Sequence, residues 1–501
     1  MENILPADEH AFPRSRYESG GSTFWIGFAN KEKRLFVTLN STKDSVYNRL
    51  DGKESLFGGE KVKICPLSHE NAVIIREAFP FTAPVSHKGR AVSMGLGDRL
   101  GLASPGHIDL IRNYDVFPVL AQQSIRELNL TGRTFGDVLD SATWAVFQEG
   151  YMSGFGADGD HVKTAAEVNM ALDSGFTMIT LDCSEHIRSD IPSLDEDAVS
   201  GLYDGLPAED RERWEAEYIN KTIRLADGTE IFFSKASLER DALIYGGAIE
   251  HAERVYRECI VTCGRNVDFE LSVDETPTET LPESHYFVAN ELYRRGIVLT
   301  CLAPRFAGEF QKGIDFKGDT GAFEKGFVAH VNIARHFGYK ISVHSGSDKF
   351  SVFPLVGKHS KGKFHLKTAG TNWLEALRVI AVKDAPFFRR LLTFSLQNLP
   401  EAKRYYHTTE NTGNIPPADS LTDAELPGLL DQPDARQVLH ICYGLILLKG
   451  HEPEDKEYFR ERIYKCLREN ERAYRETLRA HIGLHLSKLG LVPVKGGEVC
   501  R

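Results

Sequence analysis

From about residue 91 the chain repeats one unit: a short apolar run, a polar stretch bearing Gly, Asp or His, then apolar residues at helical spacing. The apolar runs predict strands at 91–94, 116–120, 152–156, 177–181, 267–273, 297–302, 340–343 and 363–366. Helical spacing predicts helices at 134–148, 164–173, 238–259, 284–294 and 323–337. Short strands alternating with helices over about 290 residues predict an α/β fold, a (β/α)8 TIM-like barrel spanning 91–380. A doubly wound sheet is the structural competitor. Against its dinucleotide-binding form, no strand precedes Gly-x-Gly-x-x-Gly, and the run Gly95 to Gly101 has the wrong spacing.

Residues 1–90 read differently. Runs at 23–26, 34–39, 61–64 and 72–75, broken by Gly-Gly, Asp-Gly and Asn-Ser, predict a β-rich or α+β region that packs on the barrel or closes one end of it. The crossover at 182–266 is oversized. It holds a polar helix at 207–220, then a hairpin at 222–234 turning at Asp227-Gly228, then the long helix. An insertion after a barrel strand is expected to overhang the carboxyl-end face. Residues 381–501 predict a helical C-terminal extension, with helices at 385–399, 434–449 and 456–488, a loop at 411–431, and packing outside the barrel.

Composition narrows the function classes. The 501 residues carry 60 Lys+Arg against 71 Asp+Glu, a net charge of −11, which argues against a nucleic-acid or membrane-surface binder. A continuous apolar run long enough to span a membrane is missing, and the first ten residues lack a basic start and an apolar h-region. The eight cysteines are sparse and only Cys259 and Cys263 are close, so inert thiols are expected rather than a zinc knuckle. Together these features predict a cytoplasmic protein. The long helices leave room for a homo-oligomer without specifying one.

The candidate chemistry falls where a barrel assembles its site, at the carboxyl ends of its strands. Asp158, Asp160, His161 and Lys163 follow the third predicted strand, and Asp182 and Glu185 the fourth. The fifth carries Glu270 before Asp274-Glu275, and the sixth leads to Arg305, Glu309, Gln311 and Lys312. The seventh ends at His344 and Lys349, and the eighth carries His365 and Lys367. His161 and His344 are the strongest metal-ligand candidates, because imidazoles and oxygen donors on several strands suit a divalent cation. The bland alternative for each is a hydrogen-bonded rim histidine. Asp160 and His161 are adjacent, so both face inward only if the backbone bends there, and the glycines at 154, 156 and 159 permit that. In 267–273 Asp268, Glu270 and Ser272 share a face, with Glu270 nearest the functional end. Lys163, Arg305, Lys349 and Lys367 are candidates for holding a substrate carboxylate or sugar oxygen. The P-loop and nucleophile-elbow motifs are absent from the sequence.

Five segments resemble signatures of the tagaturonate epimerase family: Gly154-Phe-Gly-Ala-Asp-Gly-Asp-His-Val-Lys-Thr164, Thr180-Leu-Asp-Cys-Ser-Glu-His186, Phe269-Glu-Leu-Ser-Val-Asp-Glu275, Ala303-Pro-Arg-Phe-Ala-Gly-Glu-Phe-Gln-Lys312 and Ser342-Val-His-Ser-Gly-Ser-Asp-Lys-Phe350. The resemblance implies a metal-dependent epimerase that interconverts D-tagaturonate and D-fructuronate at C4 in hexuronate catabolism, acting on a small-molecule keto-uronate. It also implies Asp160 as proton acceptor, Glu270 as proton donor, and His161, Gln311 and His344 as metal ligands. Glu309 lies two residues from Gln311 and is chemically the stronger ligand. Mixed N/O ligation suits Zn, Mn, Ni, Co or Fe. The C4 hydrogen is β to the ketone and not acidified by it, so retro-aldol cleavage and re-addition is the expected route. Alternatives are a metal-dependent isomerase or aldolase for a related sugar, or an inactive sugar-acid binding module.

Overall fold

The computed structural model describes residues 11–38, 45–57, 60–451 and 458–494. The first ten residues, residue 39, the start of the helix expected at 456–488, and Cys500 lie outside these.

Eight parallel strands close into a barrel: β1 (Val92–Gly95), β2 (Phe117–Ser124), β3 (Gly156–Val162), β4 (Met178–Asp182), β5 (Asp268–Ser272), β6 (Cys301–Ala303), β7 (Lys340–Val343) and β8 (Phe364–Lys367). Each strand pairs with the next in sequence, and β8 pairs with β1 through Phe364↔Val92 to Lys367↔Gly95. An open sheet is thereby excluded. Alternation sorts the side chains. Phe269, Leu271, Ile341, Val343, Phe364 and Leu366 join the core between strands and helices. Asp268, Glu270, Lys340, Ser342, His365 and Lys367 are left to fill a buried polar interior.

Two strands depart from expectation: the sixth, expected at 297–302, is only Cys301–Ala303, and the third is displaced altogether. The third is not 152–156 but Gly156–Val162, so the segment expected as a loop is itself the strand. Its alternation is hidden, because Asp158 and Asp160 supply the inward positions of a barrel with a charged interior. A register shift falls between Gly159 and Val162, and His161 adopts φ 49°. This bulge lets neighbours Asp160 and His161 both turn toward the barrel mouth.

In the N-terminal region five antiparallel strands form a sheet that packs, through Phe24, Leu35 and Val37, on Trp144 and Phe147 of the helix Phe135–Glu149. The run at 72–75 is helical, not extended. Ser68 caps the helix His69–Ala78 by accepting from the Asn71 amide. Beyond this helix, His87 is buried at the amino end of the barrel, where its amide donates to Asp268 at 2.6 Å.

The insertion does not overhang the carboxyl-end face as expected. Trp214, Tyr218 and Phe233 pack on Tyr286 and Phe287 of the helix Pro282–Arg294, and Arg213 pairs with Glu291 at 2.8 Å. Its apolar residues thus find their partners on the barrel's flank. The C-terminal helices share a core with Trp373 and Leu377 of the helix Ala369–Lys383, and with Leu100 and Ala103 beyond β1. They therefore reach the barrel mouth instead of staying outside it. Among the described residues, no helix is long and apolar enough to cross a membrane. The seven described cysteines are free, and burial raises the Cys65 and Cys442 thiols to about 12.

Candidate active site

A cavity of about 430 Å³ opens at the carboxyl ends of the strands. Asp160, His161, Asp274, Arg305, Gln311, Lys312, His344 and Lys367 line it from the barrel side; Tyr405, Tyr406 and His407, from the loop after the helix Ala385–Ala402, and His440, from the helix Pro433–Ile441, line it from the C-terminal extension. Among the described residues, the insertion contributes nothing to its wall.

At the bottom lies a cluster of opposed charges. Lys367 on β8 reaches Asp160 at 2.7 Å, Asp158 at 2.9 Å and Glu270 at 3.0 Å. Burial would lower its pKa, but the three carboxylates hold it well above the usual lysine value. Burial likewise favours the neutral acids, yet Lys367 with His161 keeps Asp160 well below the usual carboxylate range, and Lys367 with His344 does so for Glu270. Asp158 bears the strain of the crowding. Burial, together with Asp160 and Glu270, outweighs Lys367 and raises it to about 6.

Two histidines face one acid above this cluster. His161 Nε2 lies 3.6 Å from Asp274 Oδ1, and His344 Nδ1 lies 3.1 Å from the same oxygen. A ligand atom of each of the three residues lies within 4.8 Å of the others. The remaining nitrogens are held by the two acids singled out in the sequence: His161 Nδ1 by Asp160 Oδ1 at 2.8 Å, and His344 Nε2 by Glu270 Oε1 at 2.6 Å. A carboxylate behind each imidazole is the arrangement that orients metal-binding histidines. Burial would lower both imidazole pKa values, but Asp160 beside His161 and Asp274 beside His344 raise them. The same negative field favours any cation placed between the rings. Two imidazoles and a carboxylate with room for further oxygen donors fit a divalent metal.

The other residues expected in the site divide. Gln311 and Glu309 line the cavity, but the Gln311 amide oxygen accepts from Thr409 and Gln437, each at 2.9 Å, while its nitrogen donates to Glu309. The oxygen donor that stands between the histidines is Asp274. It continues the inward series 270, 272, 274 in the sequence, and that alternation was the signal for it. Arg305 lines the cavity and donates to the Thr276 carbonyl. Lys163 turns to Glu185 at 2.9 Å and Asp182 at 3.6 Å. Lys349 is buried behind the wall, donating to the carbonyls of Gln311, Ile314 and Ser347 at 2.6–2.9 Å. No pattern near 405–407 or 440 announces a pocket residue, because those side chains arrive from a C-terminal extension whose position depends on packing.

The fold and site define a class: a (β/α)8 enzyme with a metal-competent centre in a polar, substrate-sized cavity. Comparison narrows that class, since the family model for tagaturonate epimerase matches residues 12–489. The chain is 42 % identical over 438 residues to the tagaturonate/fructuronate epimerase of Thermotoga maritima, covering 87 % of this chain and 88 % of that protein. The native crystal structure of fructuronate-tagaturonate epimerase UxaE from Cohnella laeviribosi superposes with a TM-score of 0.93 at 47 % identity, covering 97 % of this chain and 98 % of that one. A one-glycerol complex of the same Cohnella protein gives the same score over 96 % and 97 %. This chain belongs to the tagaturonate epimerase family.

Proposed function

We propose that the protein is a metal-dependent epimerase that interconverts D-tagaturonate and D-fructuronate by inverting C4, as a step in hexuronate catabolism. The observation that carries this reading is the pairing of the His161–Asp274–His344 cluster with Asp160 and Lys367 in one cavity, within a chain of this family. His161, Asp274 and His344 would hold the cation. Gln311 could join them only by giving up Thr409 and Gln437. A divalent cation there supplies Lewis acidity toward the ketone end of the sugar.

The chain's own groups handle the protons. Asp160, whose ionised form Lys367 and His161 favour, lines the cavity and is placed to take the proton of the C4 hydroxyl as the C3–C4 bond breaks. The resulting aldehyde carbon rotates, and re-addition to its opposite face returns a proton to the C4 oxygen. Glu270 is the second member of the acid–base pair. Fully buried beneath the cavity, it is joined to Asp160 through the Lys367 ammonium, which contacts both carboxylates. Lys367 also steadies the negative charge on both acids. Tyr405, Tyr406 and His440 line the same cavity from the C-terminal extension.

Running the reaction in deuterated water tests this route. Retro-aldol inversion retains the C4 hydrogen, because only the hydroxyl proton and a carbon–carbon bond are handled. Solvent deuterium at C4 would remove the mechanism. Release of two three-carbon products without C4 inversion would make the protein an aldolase. Retention accompanied by a bound nicotinamide would point to transient oxidation instead.

A further inference from the structure

The cavity has a second end, and its charge is opposite to that of the first. Arg99, beyond β1, is held rigid: Nε and Nη2 donate to Glu127 Oε1 at 3.0 and 2.9 Å, and its guanidinium lies 3.8 Å from the centre of the Tyr443 ring. Its third nitrogen, Nη1, is buried without a hydrogen-bond partner among the described residues. His440 is 2 % exposed, lines the cavity, and has neither ring nitrogen bonded. Lys312 lines the same wall and donates to Ser345 Oγ at 3.0 Å. Ala369 and Gly370, the first residues of the helix Ala369–Lys383, complete it. Thr368 leaves that helix start uncapped, because its hydroxyl donates to the Gly95 carbonyl at 2.8 Å instead. The opening amides of a helix lack intrahelical acceptors and favour an anion. Gly370 also makes room for the imidazole, since a Cβ there would fall 2.1 Å from His440 Nε2.

Buried donors left unpaired cost free energy unless a ligand satisfies them. Here two such side chains, a lysine and an uncapped helix terminus line one cavity, and Glu127, the carboxylate beside Arg99, is already committed to it. We propose that Arg99, Lys312, His440 and the amino terminus of the helix Ala369–Lys383 bind the carboxylate of the sugar acid. The inference rests on the function proposed above and adds to it the element that selects a uronate over a neutral ketose. The acidic end of the cavity holds the ketone and C4, and the basic end anchors C6. The acid is thereby laid in one direction across Asp160.

Binding of D-fructuronate and of D-fructose, which carries CH2OH in place of the carboxylate, tests the assignment by calorimetry on metal-loaded wild type, Lys312→Met, Lys312→Arg and His440→Gln. Loss of a charge-assisted contact should weaken fructuronate binding about 10–100-fold in Lys312→Met. Fructose binding should stay within about twofold, and Lys312→Arg should recover most of the loss. His440→Gln, which removes no charge, should show a smaller loss on the same sugar alone, and it provides the readout should Lys312→Met fail to fold. Equal weakening of both sugars, or none, in the folded variants overturns the carboxylate subsite. A wild type that prefers fructuronate yet never inverts C4 overturns the proposed reaction and leaves the subsite standing.

Discussion

Asp160 and Glu270 each hold a histidine of the metal-competent cluster and each touch Lys367, so at the scale of single residues proton transfer and ligand orientation are superimposed. Amide variants separate the two. Asp160→Asn and Glu270→Gln keep an oxygen for the imidazole but lose the titrating group. Each should cut turnover about 10²–10⁴-fold at saturating metal. Recovery of Glu270→Gln on adding metal would reassign that residue to orienting His344. Ligation separates in the same way. Asp274→Ala should lose metal, measured by elemental analysis after dialysis, by more than the roughly 10–100-fold typical of an outer-shell partner. Gln311→Ala should retain it, and the opposite ranking would restore Gln311 as the ligand. Chelation should abolish activity in either case.

The elements decide which loops face the cavity. Lys349 links the loop after β6 to the loop after β7 by donating to three carbonyls, and burial lowers its pKa to about 7. It is buried behind the wall that carries Gln311 and Lys312 and does not itself line the cavity. The insertion is an independent layer. Its Trp214, 6 % exposed, packs edge-on against Phe287 with ring centres 5.7 Å apart. Trp214→Ala should therefore cost about 3–5 kcal/mol of stability in denaturant titration. Its kcat and KM should remain at wild-type values at a temperature where the variant is folded. A drop in kcat/KM with unchanged stability would return the insertion to the role of a lid.

Across the whole molecule, Asp348 joins the β7 loop to two C-terminal helices. Its carboxylate meets Arg436 at 2.6 Å as well as His481, and its amide donates to His485 Nε2 at 3.1 Å. His485 Nδ1 donates to the His481 carbonyl, so both of its nitrogens are used. Although Asp348, His481 and His485 lie close enough for a metal, Arg436 already supplies the cation. Burial would raise the Asp348 pKa, but His481 and Arg436 depress it far below its ordinary value. A depressed folded-state pKa gives stability that is present above the unfolded value of about 4 and lost as pH falls toward the folded one. Asp348→Asn should therefore lose about 3–5 kcal/mol at neutral pH by leaving Arg436 buried and unpaired. The gap between wild type and variant should narrow in urea titrations below about pH 4. A gap independent of pH would show that the interaction does not depend on charge.

The alternation of β-like and helical segments, read locally, was enough to specify the barrel, because each strand pairs with its neighbour in sequence and buries its own apolar face. His161, His344, Asp160, Glu270 and Lys367 were legible for the same reason: in a barrel, polar residues at strand ends converge. The third strand was misplaced, since its inward positions are charged and its period is interrupted by the bulge at His161. Lys163 and Lys349 carry the right charge in the right loops, but whether an ammonium finds a cavity, a carboxylate or three carbonyls depends on neighbours distant in sequence. Arg99, the Tyr405–His407 segment and His440 belong to the same category. Local sequence determines which face of a strand or helix is apolar. Only closure of the barrel and docking of the C-terminal helices decide which polar groups are left unpaired beside one another, because that is set by packing between segments far apart in the chain.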